Sequence, residues 1–255
     1  MDRKQITEAA RIFPDLAALI GVPQDPIWHP EGDAFEHTIQ VVEAASVICN
    51  QQGIFDNDRE VVLYAALCHD FGKPYTTTHD PDGRIRSKGH QEAGVEPTRR
   101  FLQQVGFTED FCSKVVCLVS EHMTHVTSSV SKRLVRNLIN RLETGGVSIT
   151  LWAAVVDADT AGRGSLPKNR EEKVQQVLNF AAEIFAEREV QKNVPQPVVL
   201  GRHILASRPG QKPGKWVGDL VDSAFQAQIE GRLEQWLIDN QVAKELSANI
   251  GSQTG

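Results

Sequence analysis

Residues Ala65 to Lys73 read Ala-Ala-Leu-Cys-His-Asp-Phe-Gly-Lys, and no other stretch constrains the fold as much. It closes the run Val61-Val62-Leu63-Tyr64-Ala65-Ala66-Leu67-Cys68. A run that is apolar all round predicts a buried helix, not an amphipathic surface one. At helical spacing His69 falls on the stripe of Val62, Ala65 and Ala66, and Asp70 on that of Leu63, Ala66 and Leu67. Both polar side chains therefore point into apolar surroundings. A buried carboxylate without a partner is costly, so it neutralises or finds a cation. A divalent ion held by the adjacent His and Asp satisfies both residues. A hydrogen-bonded His–Asp pair on a capped core helix does so too. Gly72 is expected to end that helix as a C-cap.

The 255 residues suffice for one large domain or a domain with an appendage. Aromatic residues make up only 6% and strand-like runs are few, which favours helices. A net charge of −6 argues against broad, non-specific nucleic-acid binding and leaves local basic clusters open. Cys49, Cys68, Cys112 and Cys117 sit in apolar helical contexts without CxxC spacing and read as reduced core residues. Met1 leads into no apolar leader, and no stretch reaches the roughly 18 apolar residues of a membrane span. A cytoplasmic protein with no membrane partner is the expectation, and the sequence leaves the oligomeric state open.

Along the chain, residues 5–13 predict a short helix stopped near Pro14, and a second short apolar piece, Leu16 to Ile20, ends at Gly21. The proline-bearing segment Val22 to Pro30 predicts extended backbone, with Trp28 anchoring it to the core and His29 structural. Asp33 with Glu36 predicts a capping box for a helix from Ala34 to Asn50, with Gly53 past its end. On that helix His37 shares the buried face of Val41, Ala44 and Ala45, as a satisfied core histidine or a ligand. Asp82-Gly83 predicts the turn of a small hairpin flap spanning Pro74 to Gly89. Its Arg84, Arg86 and Lys88 suit a phosphate-bearing substrate or simply a solvated loop; His79 is not expected to be a ligand.

His90 opens a helix to Gln104, in which Pro97 predicts a kink or a late start. In the helix Glu109 to Met123, His122 shares a face with Val115, Leu118 and Val119; His125 is a weaker candidate ligand. A helix capped by Ser129 or Ser131 carries Lys132, Arg133, Arg136 and Arg141, a solvated basic face or a phosphate-backbone patch. From Ser148 to Asp159 the pattern puts Trp152, Val155, Val156 and Asp159 on one face. Asp157 lies about 200° away from Asp159 on that helix, so the two cannot easily share an ion. Arg163 follows near any site built on Asp159. A long helix, Glu171 to Val190, precedes a linker, Gln191 to Pro197. The turn Gly210 to Gly218 reads as an anion site at a helix start or as a packed turn anchored by Trp216. Its helix is expected over Asp219–Glu230, and a last one over Arg232–Leu246. The expected organisation is a lead-in (1–32), a main domain (33–190), a helical appendage (198–246) and a disordered tail (247–255).

The inward polar residues His37, His69, Asp70, His90, His122 and Asp159 come from separate helical segments. One metal site inside a helical bundle accounts for all of them. Imidazole and carboxylate without thiolate suit Mn²⁺, Mg²⁺, Ni²⁺, Co²⁺, Fe or Zn²⁺. Six ligands exceed the need of one open ion and match a pair about 3.5–4 Å apart.

The order His37…His69-Asp70…Asp159, with His-Asp-x-Gly-Lys at 69–73, resembles the HD-domain metal-dependent phosphohydrolases. Closer still is the C-terminal HD region of bacterial CCA-adding tRNA nucleotidyltransferases, over roughly 15–165. Gly21-Val22-Pro23-Gln24, Trp28-His29-Pro30-Glu31, Gly89-His90-x-x-Ala93-Gly94-Val95 and Asp157-Ala158-Asp159 with Gly162-Arg163 carry that resemblance. Lys212-Pro213-Gly214-Lys215-Trp216-Val217-Gly218 also looks like the tail of these enzymes. The resemblance implies an all-α HD bundle with a C-terminal helical appendage. It implies a metal-dependent phosphohydrolase of the 2′,3′-cyclic phosphodiesterase or 2′-phosphatase type, acting on a nucleotide or an RNA 3′ end. His37, His69, Asp70 and Asp159 would hold the core ion, and His90 and His122 a second ion or the phosphate. Asp70, Lys73 and Arg163 are the expected catalytic residues, and Lys73, Lys88 and Arg163 the expected phosphate partners. The Gly-Gly-x-x-Arg-Asp run of the family's polymerase head does not occur, so CCA addition is expected to be absent from this chain. The alternatives are a nucleoside 5′-monophosphatase or dNTP hydrolase on the same fold, or a non-catalytic RNA-binding remnant.

Overall fold

A computed structural model describes residues 1–124, 129–163, 169–193 and 197–242. Their helices are α1 (Arg3–Ala9), α2 (Pro14–Ala17), α3 (Ala34–Gln52), α4 (Asp56–Cys68), α5 (Lys73–Thr76), α6 (His90–Ala93) and α7 (Val95–Val105). There follow α8 (Glu109–Glu121), α9 (Lys132–Thr144), α10 (Ile149–Ala161), α11 (Asn169–Asn193), α12 (Gly201–Ala206), α13 (Lys215–Ile229) and α14 (Leu233–Asp239). Strands β1 (Thr77–His79) and β2 (Ile85–Ser87) pair antiparallel, Thr77 opposite Ser87, as the hairpin around Asp82-Gly83. Apart from this hairpin the described residues are all-α. Two compact units divide at Phe185 and Ala186.

In the first unit α4 packs against α3, α8 and α10. That surround explains its composition, since Val61, Val62, Leu63, Ala65, Ala66, Leu67 and Cys68 are all buried. Residues 1–32 supply Ile6, Leu16 and Leu19 to the same core. Cys49, Cys68 and Cys112 are buried and unpaired, and Cys117 is half-buried and unpaired. Among the described residues no helix is long and apolar enough to cross a membrane.

Local chemistry sets the helix ends around the centre of this unit. Asp33 caps α3 by accepting from the Glu36 N–H at 2.9 Å, and Gly53 closes it in the left-handed region at φ 68°. The expected capping box is only half formed, because the Glu36 carboxylate pairs with Arg3 instead. The expected helix from His90 to Gln104 breaks at Gly94 into α6 and α7. Pro97 thereby falls in the first turn of α7, where no N–H is needed.

Gly72 is not a C-cap: His69 caps α4, and Gly72 has right-handed backbone at φ −83°. Its role is close approach, since a Cβ there would lie 2.0 Å from the His90 carbonyl oxygen. Gly162 acts alike between α10 and α3. A Cβ there would meet Val41 Cγ2 at 2.5 Å and the Val41 N at 3.0 Å. Trp28 does not anchor its segment in the core; it is 43% exposed. The backbone there turns back through the His29 N–H donating to the Asp25 carbonyl at 2.9 Å, and Asp25 holds the loop to the hairpin through Arg84.

The second unit has its own small core of Val199, Ile204, Ala224, Leu233, Leu237 and Val242, with Trp216 and Trp236 packed against it. Trp216 donates to the Lys212 carbonyl at 3.1 Å, and the Arg208 guanidinium stands 5.8 Å from its ring centroid. The turn before α13 is thus packed and Trp-anchored. The helix begins at Lys215, earlier than the expected Asp219. α11 runs to Asn193, so the expected linker starts inside a helix. α14 stops at Asp239, not Leu246. His125 and the expected disordered tail, 247–255, lie outside the described residues.

Candidate metal centre

Six polar residues meet where α3, α4, α6, α8 and α10 come together. His37 lies in the first turn of α3, His69 caps the C-terminus of α4, and Asp70 follows it. His90 opens α6, His122 caps the C-terminus of α8, and Asp159 lies near the end of α10. All six are buried, from 0% exposure at His37 to 7% at His90. His37 Nε2 stands 3.0 Å from Asp159 Oδ1 and 3.9 Å from Asp70 Oδ2. His69 Nε2 stands 3.2 Å from Asp70 Oδ2 and 3.8 Å from Asp159 Oδ1. His90 Nε2 is 3.4 Å from Asp70 Oδ1 and 3.1 Å from His122 Nε2.

The outer ring nitrogens decide which atoms face inward. His69 Nδ1 donates to the Ala66 carbonyl at 2.8 Å, His90 Nδ1 to Ser87 at 2.8 Å and His122 Nδ1 to Val119 at 2.6 Å. The Ala66 and Val119 carbonyls belong to the last turns of α4 and α8, where no helical partner is available. A neutral imidazole that donates through Nδ1 carries its lone pair on Nε2. With neutral rings, the Nε2 lone pairs of His69, His90 and His122 converge on each other and on carboxylate oxygens, which are also acceptors. Buried His69 Nε2 has no hydrogen-bond partner, and Asp70 Oδ2, 3.2 Å from it, has the Lys73 ammonium at 2.6 Å. Acceptors face acceptors, and a cation resolves the conflict.

The spacing fits such a cation. Around an octahedral ion with bonds of about 2.1 Å, adjacent donors lie about 3.0 Å apart and opposite donors about 4.2 Å. His37, His69, Asp70 and Asp159 span that range, and Asp70, His90 and His122 form a second group of donors within 4.8 Å of one another. A backbone-anchored Nδ1 is the usual companion of a metal-ligating Nε2.

Two cations reach the carboxylates from the side. Lys73 Nζ is 2.6 Å from Asp70 Oδ2, and Arg163 Nη2 is 2.6 Å from both oxygens of Asp159. Burial pushes the Asp70 carboxyl up, but His69 and Lys73 outweigh it and hold it well below the usual carboxylate range. Burial pushes His69 down, yet Asp70 and Asp159 carry it above its ordinary value. Burial, reinforced by the neighbouring His90 and His69, drives His122 well below its ordinary value. Burial also lowers His90, against the pull of Asp70. The His90–His122 contact is thus between neutral rings.

Lys88 is exposed, two residues before His90, and stands outside the buried cluster. Arg84 is spent on Asp25, and Arg86 on Asp80 and Asp82. Two of the α9 bases are paired as well, Lys132 with Glu183 at 3.0 Å and Arg141 with Glu121 at 2.6 Å. Three residues unclaimed by helical periodicity join the site from the loop before α3. Gln24 accepts from Lys73 Nζ, and Glu31 Oε1 lies 2.8 Å from His29 Nδ1 and 2.7 Å from His37 Nδ1. Burial pushes the Glu31 carboxyl up, but the two imidazoles bring it down to about 2; burial takes His29 to about 4. Loop residues follow no helical period, so only the Gly21-Val22-Pro23-Gln24 and Trp28-His29-Pro30-Glu31 motifs could have signalled them.

Asp159 is 1% exposed while Asp157, two residues back, is half-buried. Asp159→Asn is expected to lose bound Co²⁺, and Asp157→Asn to keep it. Metal analysis of the two purified variants checks this, and the reverse pattern would show that the other face of α10 carries the site.

A helical bundle with a buried His/Asp cluster of this kind defines a class. Residues 34–157 match the model of the HD domain family, which lies within a superfamily of metal-dependent hydrolases. Among curated proteins it is 35% identical to the Multifunctional CCA protein of Pasteurella multocida over 157 residues, 60% of this chain and 36% of that protein. It is 30% identical to the CC-adding tRNA nucleotidyltransferase of Thermus thermophilus over 223 residues, 87% of this chain and 46% of that protein. The Multifunctional CCA protein of Halorhodospira halophila is 34% identical over 130 residues, 51% of this chain and 28% of that protein. The chain thus spans less than half the length of each of these relatives.

Proposed function

We propose that this protein is a metal-dependent phosphohydrolase acting on a nucleotide or RNA-end phosphoester, of the 2′,3′-cyclic phosphodiesterase or 2′-phosphatase type. The observation that carries the reading is the convergence of Nε2 lone pairs on buried carboxylates, which needs a cation at its centre. His37, His69, Asp70 and Asp159 would hold the first ion, and His90 and His122 with Asp70 a second. A divalent ion bound there supplies Lewis-acid polarisation of a phosphoryl oxygen and lowers the pKa of a water. The rest falls to the chain. His69 and Lys73 keep the Asp70 carboxyl well below the usual carboxylate range, and Arg163 pairs with Asp159 at 2.6 Å. Those two cations also bring positive charge to the edge of the cluster, where a phosphate must lie and where charge grows in the transition state. The buried walls exclude bulk water, which strengthens each of these interactions. The names of the relatives, a tRNA nucleotidyltransferase among them, direct the choice towards nucleotides and RNA ends.

The test is a panel of 2′,3′-cyclic, 2′- and 5′-nucleotides and dNTPs, offered after chelation with Ni²⁺, Mn²⁺, Co²⁺ or Mg²⁺ in turn. Hydrolysis of the cyclic or 2′ substrates with at least one ion, and silence in chelator, is expected. Turnover confined to 5′-nucleotides or dNTPs would move the protein to another substrate class. Silence with every ion would leave only a binding role.

A further inference from the structure

Glu31 is the least accountable charge in the first unit. Its side chain is 5% exposed, and its partners in ion-pair range among the described residues are two imidazoles, those of His29 and His37. Among the described residues no lysine or arginine pairs with it, and Oε2 has no hydrogen-bond partner. A carboxylate buried without a cation is unfavourable unless its neighbours need it. His37 has that need. It is fully buried, and unlike His69, His90 and His122 it has no backbone carbonyl on Nδ1 to set its tautomer. Its Nδ1 lies 2.7 Å from Glu31 Oε1, in ion-pair range but without aligned hydrogen-bond geometry, while Nε2 stands 3.0 Å from Asp159 Oδ1. His29 grips the same carboxylate oxygen from the far side at 2.8 Å, its ring edge-on to that of His37 with centroids 4.7 Å apart.

We propose that Glu31, steadied by His29, is a positioning residue that keeps the His37 proton on Nδ1 and so presents the Nε2 lone pair to the metal centre. This rests on the metal reading above. The loop does more than connect α2 to α3: it stands in for the carbonyl brace that the other three histidines have. A carboxylate brace differs from a carbonyl in carrying charge, and it makes the imidazole a stronger donor. His37 is thereby the ligand whose strength the loop sets.

Co²⁺ is the probe, titrated into the metal-stripped full-length chain by calorimetry and followed by its visible spectrum. Glu31→Gln keeps an acceptor of the same size and loses the charge; it is expected to weaken Co²⁺ binding about tenfold. Glu31→Ala removes the brace and is expected to cost up to about a hundredfold. Both should bind the wild-type number of ions at saturation, with a shifted visible band and an unchanged far-ultraviolet circular dichroism spectrum. A purely structural role for Glu31 would lower the melting temperature and leave the band where it was. Glu31→Gln with wild-type affinity and spectrum would overturn the assignment while the metal reading stood. If wild-type chain takes up no Co²⁺, the metal reading itself fails, and this assignment with it.

Discussion

Asp70→Asn is expected to strip the protein of bound metal and reduce hydrolysis to the level seen in chelator. Asp70 belongs to both donor groups: one holds His37 and His69, the other His90 and His122. Its Oδ2 faces His69 at 3.2 Å and its Oδ1 faces His90 at 3.4 Å. No other residue of the cluster joins the two groups, so losing its charge affects both at once. The amide is the right replacement because Lys73 is buried, at 7% side-chain exposure, against the same carboxylate. Asp70→Ala would strand that ammonium, at a cost of about 3–5 kcal/mol, and confuse lost metal with lost fold. Asn leaves Lys73 a carbonyl acceptor, so the helical circular dichroism signal should persist. His122→Ala, by contrast, should keep the ion held by His37, His69, Asp70 and Asp159. Metal content by mass spectrometry and the rate with Co²⁺ check both variants. An Asp70→Asn protein with full metal content and full rate would remove the cluster from the chemistry.

The second large effect is expected from a residue with no side chain. Gly72→Ala should lower stability by about 3 kcal/mol, the upper part of the range for overpacking a close contact. That corresponds to a fall in melting temperature of roughly 6–12 °C for a chain of this size. The added Cβ would lie 2.0 Å from the His90 carbonyl oxygen, 2.8 Å from its carbon and 2.7 Å from the Gly94 nitrogen. All three are backbone atoms, so no rotamer change relieves the clash. Either α5 moves or the start of α6 moves, and in both cases His90 leaves Asp70. Reduced Co²⁺ stoichiometry should therefore accompany the lower melting temperature. A Gly72→Ala protein that melts like the wild type would show that the two segments have slack that the observed packing denies.

His-Asp-x-Gly-Lys thus has a physical reading at each position. The His and Asp are ligand candidates, the Lys pairs the Asp, and the Gly lets the next helix approach. The reading of Gly72 as a helix stop was mistaken because a glycine signals both left-handed backbone and close approach. Only the φ angle and the neighbouring chain separate the two.

The helical class, the buried α4 and the six convergent residues were legible in the sequence, for one reason. A polar residue on an otherwise apolar helical face must point into the core, and periodicity reports faces. That also separated Asp159 from Asp157 without any structure. Three things needed the tertiary structure. Backbone carbonyls, two at helix ends and one at the end of β2, hold three Nδ1 atoms and turn the Nε2 atoms inward, which depends on local chain geometry that periodicity does not encode. Trp28 is exposed while Glu31 and Gln24 turn inward, because a loop has no period from which to read a face. The hairpin and α9 arginines looked free for phosphate, yet several are spent on Asp25, Asp80, Asp82 and Glu121, partners set by how the chain folds back on itself. Which residues must be buried follows from local pattern; which atoms then face one another is decided by segments that meet only after folding.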